Sequence, residues 1–433
     1  MKIPRALLLA SSIPTLTWAW SRAPIRTGLE VLRASNYSQL AGRKVIILSN
    51  PTGVTPELNL GVDVMFESGA VDLVGVMGPE HGFRGTAQAG GSEGTFTDEQ
   101  TGLTVYDAYN VNTSTLVRYI AESGADTVLF DIQDVGARFY TYTWAMYDTM
   151  VAEALTNTTY MVLDRPNPIT GLNAFGPVLD QTKYNSYVGR RAIAQAHGMT
   201  SGELAKMFVG EKWIQEAANG SELALEVVQM EGWERWMTWA DTGLPWVIPS
   251  PNMPTPDSAL IYPGTCMFEG TSISEGRGTT RPFELLGATF TNTTWVDKMR
   301  SLNIPKTNYR FACFSPTASK FTSQIVCGLQ SYVSLHGPSD YESFDPVYLG
   351  VALLWSAKQL YTNTTDSGYG NTTGSFHWLF NSGDSSQYDV DTLTGGTLVR
   401  EGIEAGWSPD QIRGAWESDL REFKKKRESY LLY

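Results

Sequence analysis

The sequence predicts an α/β protein, with a mostly parallel sheet domain over residues 24–255 followed by a smaller α+β domain over residues 256–433. Three observations lead there. Short apolar runs alternate with stretches of helical period through the first half, the pattern of a parallel sheet covered on both faces. Four of those runs pass directly into polar, chemically capable residues. The segment 249–256 then places four prolines in eight residues, which excludes a helix or a central strand and reads as a stiff connection.

The elements follow in order. Residues 44–48 form a first strand ending at Ser49-Asn50. Thr55-Pro56 supplies a cap and a first-turn proline, and Gly69 a stop, for the helix after it. Residues 71–77 form a second strand ending at Gly78-Pro79-Glu80-His81-Gly82, followed by a glycine-rich loop to Gly94. A short strand covers 103–106, and a helix over 115–123 stops at Gly124. Residues 127–130 form a strand ending at Asp131-Ile132-Gln133-Asp134. Phe139, Tyr142, Met146, Met150 and Ala154 recur at helical spacing. Residues 161–163 form a strand ending at Asp164-Arg165-Pro166-Asn167, and Thr200-Ser201-Gly202-Glu203 is a capping box. Strands are expected at 223–228 and 246–248. In the second half, Ser408-Pro409 opens a helix that buries Ile412, Trp416, Leu420 and Phe423.

The net charge of −13 argues against a nucleic-acid or anionic-membrane surface. The basic run Lys424-Lys425-Lys426-Arg427 reads as a solvated helix face. Residues 1–20 read as a secretory signal: Lys2 and Arg5 precede a short apolar stretch and the small-residue site at Ala19. Seven glycosylation sequons, at Asn36, Asn112, Asn157, Asn219, Asn292, Asn363 and Asn371, agree with a secreted, extracellular glycoprotein. Of the three cysteines, Cys313 and Cys327 are able to pair in an oxidising compartment, leaving Cys266 free.

In an open parallel sheet, ligands bind outside the carboxyl ends of the strands. This places Glu80, His81, Asp131 and Asp134 on one rim as candidate catalytic residues. Glu80 is the leading one, because a carboxyl in a partly dry cleft suits a general acid. Arg138 is either the ion-pair partner of Asp134, one turn away, or a clamp for a substrate carboxylate. Asn50, Tyr140 and Asn252 are candidate substrate contacts, as are Glu275 and Arg277 in the glycine-flanked Glu275-Gly276-Arg277-Gly278 loop. No metal site is expected, since the four histidines are dispersed and no Cys-x-x-Cys occurs. Gly90-Gly91-Ser92-Glu93-Gly94 matches a nucleophile-elbow pattern but lacks the strand and helix that motif needs. No phosphate loop or dinucleotide fingerprint is present.

Taken together, several ordered blocks resemble a known family. They are Leu48-Ser49-Asn50-Pro51-Thr52-Gly53, Gly78-Pro79-Glu80-His81-Gly82-Phe83-Arg84-Gly85 and Phe130-Asp131-Ile132-Gln133-Asp134 through Tyr142. They continue with Leu163-Asp164-Arg165-Pro166-Asn167-Pro168, Pro249-Ser250-Pro251-Asn252-Met253-Pro254, Phe268-Glu269-Gly270-Thr271 and Gly276-Arg277-Gly278 through Glu284. The family is the exo-β-N-acetylmuramidases, glycoside hydrolases once catalogued as a domain of unknown function. The resemblance implies a Rossmann-like first domain without a nucleotide, a smaller second domain and a cleft between them. It implies release of terminal N-acetylmuramic acid from the non-reducing end of peptidoglycan-derived muramyl saccharides, with no cofactor. It makes the acid at Glu80 the leading catalytic residue. The glycine-rich stretch 88–94 departs from the expected pattern and bears on how the cleft is shaped.

Glycoside hydrolysis usually needs two carboxyl groups. Asp131, Asp134 and Glu275 are all open candidates for the second. Arg138 and Arg277 are candidates for the lactyl carboxylate of muramic acid. The rival reading is a non-catalytic binder of bacterial wall sugars, and a further one an esterase acting through Ser92. The sequence sets no oligomeric state.

Overall fold

The computed structural model describes residues 25–362, 374–381 and 384–433. The expected signal segment and the sequons at Asn363 and Asn371 lie outside them. The first half is built on a seven-stranded sheet. Its strands are β1 (Lys44–Ser49), β2 (Asp72–Gly78), β3 (Phe96–Thr97), β4 (Thr104–Asp107), β5 (Thr127–Asp131) and β6 (Thr159–Leu163). A small pair, β7 (Phe175–Val178) and β8 (Ala194–Ala196), precedes the last strand of the large sheet, β9 (Ala224–Val228). The order is β3-β4-β2-β1-β5-β6-β9, parallel except for β3. The chain therefore winds outward from β1 in one direction, then from β5 in the other. The topological switch point lies between β1 and β5, where Ser49 is in register with Asp131.

Alternation along the strands places the two cores. Val45 and Ile47 of β1 face one apolar cluster with Leu29, Val62 and Met161. Ile46 and Leu48 face the other, with Phe130, Met146 and Phe208. That second cluster runs on into the second half through Phe268, Trp295 and Trp416, so the two halves share one core. The second half carries an antiparallel sheet of β10 (Leu285–Ala288), β11 (Thr307–Phe314) and β12 (Val326–Val333), in the order β10-β12-β11. Its facing residues Cys313 and Cys327 are disulfide-bonded and Cys266 is free and buried. Helices Pro256–Thr265 and Pro346–Tyr361 cross so closely that a Cβ on Gly350 would lie 2.3 Å from the Gly264 carbonyl oxygen.

Several elements differ from the expected ones. The helix before Gly69 begins at Gly61, not at Thr55. Residues 55–59 close instead into a turn, with the Asn59 and Thr55 backbones joined at 2.9 Å. Residues 246–248 form no strand. Trp246 turns inward and donates its indole N–H to the Met253 carbonyl at 3.1 Å. Pro256 does not end the stiff connection but opens a helix as its first residue, capped by Thr255. The Thr200 and Ser408 capping boxes both form. The basic run at 424–427 is not all solvated. Arg427 is buried and donates to the carbonyls of His197, Gly198 and Leu172, and Lys426 pairs with Glu211 at 2.8 Å.

Glu153, on helix Tyr142–Thr156, is buried, and neither carboxylate oxygen has a partner of good hydrogen-bond geometry among the described residues, although Thr158 and the Val128 backbone partly offset its burial. Burial pushes its carboxyl up to about 7. The folded state therefore holds a proton that the unfolded chain has lost, and stability falls as pH rises from about 4.5 to about 7. Glu153→Gln is expected to add up to roughly 3 kcal/mol at pH 8 and little at pH 4, read from urea unfolding at the two pH values.

Candidate active site

The switch-point crevice is filled by the protein itself but for a pocket of about 20 Å³ beside Thr52, Gln133 and Arg165. Asp131, fully buried at the end of β5, receives Nε and Nη2 of Arg165 at 2.6 and 3.0 Å. Ser49 Oγ donates to the Asp131 carbonyl at 3.1 Å, and the Gln133 N–H donates to Thr52 Oγ1 at 2.8 Å. Asn50 is buried there too, its Oδ1 accepting from Thr52 N and Oγ1. The open cleft lies one strand over, beyond the end of β2.

Glu80 stands at its centre, two residues past β2. Thr141 Oγ1 donates to one carboxylate oxygen at 2.6 Å and the Gly90 N–H to the other at 2.8 Å. The glycine-rich loop thus reaches back over Glu80. Its base is fastened by Glu93, which accepts from Arg84 N, Thr86 N and Thr86 Oγ1. The Glu93 carboxylate passes so close that a Cβ on Gly82 would lie 2.2 Å from it, which only glycine allows. His81 takes the left-handed backbone, φ 71°, an uncommon state for a side-chain-bearing residue and a local strain at the site. Its Nδ1 lies 3.1 Å from the Ala87 carbonyl. A carbonyl only accepts, so Nδ1 carries hydrogen, and in the neutral ring Nε2 is the acceptor.

Around Glu80 an inner cavity of about 120 Å³ is lined by His81, Phe139, Tyr140, Ser250, Tyr262, Glu269, Arg277 and Phe283, among others. An outer compartment of about 600 Å³ adds Gln88, Gly90, Asn252, Glu275 and Lys320, and shares Glu80, Glu269 and Arg277 with the inner one. Tyr140, Tyr142, Tyr262 and Phe283 form a chain of edge-to-face rings 4.6 to 5.7 Å apart, an apolar wall suited to a sugar face. Burial pushes the Tyr140 hydroxyl far above its usual range. It does the same to the Cys266 thiol, so neither is a ready nucleophile.

The far wall comes from the second half. Arg277 donates from Nε, at 2.9 Å, and Nη2 to one oxygen of Glu269, and its Nε lies 3.6 Å from Glu275. Burial opposes the guanidinium charge, but Glu269 and Glu275 outweigh it and raise its pKa. Its Nη1 makes no hydrogen bond among the described residues.

The structure thus brings together Glu80, His81, Tyr140, Asn252, Glu275 and Arg277. It keeps four other candidates out. Asp131 and Asn50 lie in the filled crevice. Asp134 accepts from the Gly136 N–H at 2.7 Å and lies 3.8 Å from His197 Nε2. Arg138 neither pairs with Asp134 nor reaches the cleft. It is fully buried and donates to the carbonyls of Pro177, Ile193 and Leu393. Asp164 is also structural: it accepts from Gly202 N, Thr200 Oγ1 and the Tyr433 hydroxyl. Ser92 donates to Asp107 at 2.6 Å and has no histidine partner among the described residues. Glu269, Thr141 and Lys320 were not legible as site residues. Glu269 sits in a block that carries the resemblance, but Lys320 lies in an unpatterned hairpin loop.

Two successive family models match the chain: the exo-β-N-acetylmuramidase NamZ N-terminal region over residues 45–257 and its C-terminal region over 260–433. The chain belongs to the exo-β-N-acetylmuramidase family. A curated member, the peptidoglycan β-N-acetylmuramidase NamZ of Bacillus subtilis (strain 168), is 39% identical over 410 residues, covering 94% of this chain and 91% of that protein. Among solved structures, two DUF1343 family proteins of Bacteroides fragilis NCTC 9343 are similar. One has a TM-score of 0.78 at 30% identity, covering 95% of this chain and all of the other. The second has a TM-score of 0.70 at 29% identity, covering 94% and 99%. The chain thus shares its fold with both of these structures over nearly its whole length.

Proposed function

We propose that this protein is a secreted exo-acting glycoside hydrolase that releases terminal β-linked N-acetylmuramic acid from peptidoglycan fragments, with Glu80 as general acid. Family membership and the curated relative's activity on peptidoglycan support the reaction class. The observation that carries the assignment to this site is Glu80 at the junction of the two compartments, held by one backbone and one hydroxyl donor. The inner cavity takes the terminal sugar against the Tyr140–Tyr262–Phe283 wall. The outer compartment takes the departing saccharide. Glu80 gives its proton to the glycosidic oxygen as the bond to the anomeric carbon breaks. Arg277 Nη1, without a hydrogen bond among the described residues, receives the lactyl carboxylate, the group that separates muramic acid from glucosamine.

Secretion is supported by the Cys313–Cys327 bond and by four exposed sequons, Asn36, Asn112, Asn157 and Asn219. Asn292 is half-buried and caps helix Thr293–Ser301.

Digestion of defined wall fragments tests the reaction. Free N-acetylmuramic acid should appear from the first minutes, with the remaining chains shortened only at the non-reducing end. Internal cleavage products, or bound but uncut fragments, contradict it; the latter is the binder's result. A mass loss on treatment with an N-glycan-removing enzyme checks the secreted form.

A further inference from the structure

The cleft contains two carboxylates besides Glu80, and they differ in what they have left to offer. Glu275 is spent. Its side chain is 2% exposed, Lys320 Nζ holds one oxygen at 3.0 Å, and Ser319 Oγ and Arg277 Nε stand 3.5 and 3.6 Å from the other. Glu269 is 30% exposed, and both Arg277 donors converge on its Oε1. Its Oε2 makes no hydrogen bond among the described residues. It lines both compartments, as Glu80 does, but from the opposite half of the chain.

Its backbone is also held. Lys320 Nζ donates to the carbonyls of Phe268, Glu269 and Ile273 at 2.8, 3.0 and 3.2 Å. Lys320 sits in the β11–β12 hairpin loop, whose base the Cys313–Cys327 bond staples. That loop presses on Gly278, where a Cβ would lie 2.4 Å from the Ala318 nitrogen. A fixed backbone, one oxygen clamped and the other without a hydrogen bond among the described residues, on a side chain that lines the cleft: this is how a reacting carboxylate is pre-organised.

We propose that Glu269 is the second carboxylate of the reaction, acting on the anomeric carbon while Glu80 serves the leaving group. The inference rests on the muramidase reading above. As the bond to the leaving group breaks, Glu80 supplies that oxygen with a proton. Glu269 Oε2 either takes a proton from the water that bonds to the anomeric carbon, or bonds to that carbon itself until water releases it. The net reaction is the same hydrolysis, and the anomer first formed tells the two apart.

The test compares Glu269→Gln and Glu80→Gln on an activated aryl β-N-acetylmuramide and on the natural disaccharide, a wall-derived unit with N-acetylmuramic acid at its non-reducing end. Glu269→Gln should lower kcat roughly 100-fold or more on both substrates, with the Kd for N-acetylmuramic acid within about threefold of wild type. Glu80→Gln should lose far more on the disaccharide than on the activated glycoside, whose leaving group needs no proton. Glu269→Asp keeps the charge beside Arg277 while retracting both oxygens, and should lower kcat with the melting temperature little changed. A kcat for Glu269→Gln within about tenfold of wild type, or an effect confined to KM, overturns the proposal and leaves the muramidase reading standing. No turnover by the folded wild type overturns both.

Discussion

Glu80→Gln is expected to lower kcat on the natural disaccharide by roughly 100- to 10,000-fold, the range for removing a positioned general acid. The fold should survive. Gln has the same shape, its amide oxygen accepts from the Gly90 N–H, and its amide nitrogen donates to Thr141 Oγ1, whose hydroxyl rotates to accept. KM should change little. A variant with wild-type kcat would remove Glu80 from the chemistry, and a variant that fails to fold would make it a brace for the glycine-rich loop.

The second large effect is on stability. Asp131 and Arg165 are both buried and meet through two hydrogen bonds. Removing one charge of such a pair strands the other and typically costs about 3 to 5 kcal/mol. Asp131→Asn and Arg165→Met should each lose about that much in urea unfolding, while kcat per folded molecule stays close to wild type. An Asp131→Asn protein of wild-type stability but without activity would return Asp131 to the reaction.

That pair shows where sequence reasoning reaches its limit. The strand ends are legible because apolar runs stop where polar residues begin, and Asp131 does stand at the end of β5. What the pattern does not carry is the partner. Arg165 stands 34 residues away, and its guanidinium fills the crevice that an open sheet otherwise offers to a ligand. Arg138 is a similar case, since its fate is set by the Leu393 carbonyl, 255 residues on. Glu80 and His81 are legible for the opposite reason: the Pro79–Gly94 stretch is local, and its glycines mark backbone that folds back on itself. Glu275 and Arg277 are legible from flanking glycines with positive φ. Glu269 and Lys320 are not, because the second half has little periodicity and a hairpin loop advertises no chemistry. The missing 246–248 strand has the same origin: Trp246 satisfies its indole locally, and no strand among the described residues pairs with it.

The most direct measurement is the ratio of kcat/KM for a chromogenic N-acetylmuramic acid β-glycoside to that for the N-acetylglucosamine analogue, with the purified wild-type protein. The two differ only in the lactyl group that Arg277 is proposed to receive. Turnover of the muramic glycoside with a preference of roughly tenfold or more, the worth of one charge-assisted hydrogen bond, is the predicted result. Equal turnover of both sugars, or none of either by the folded protein, would contradict it.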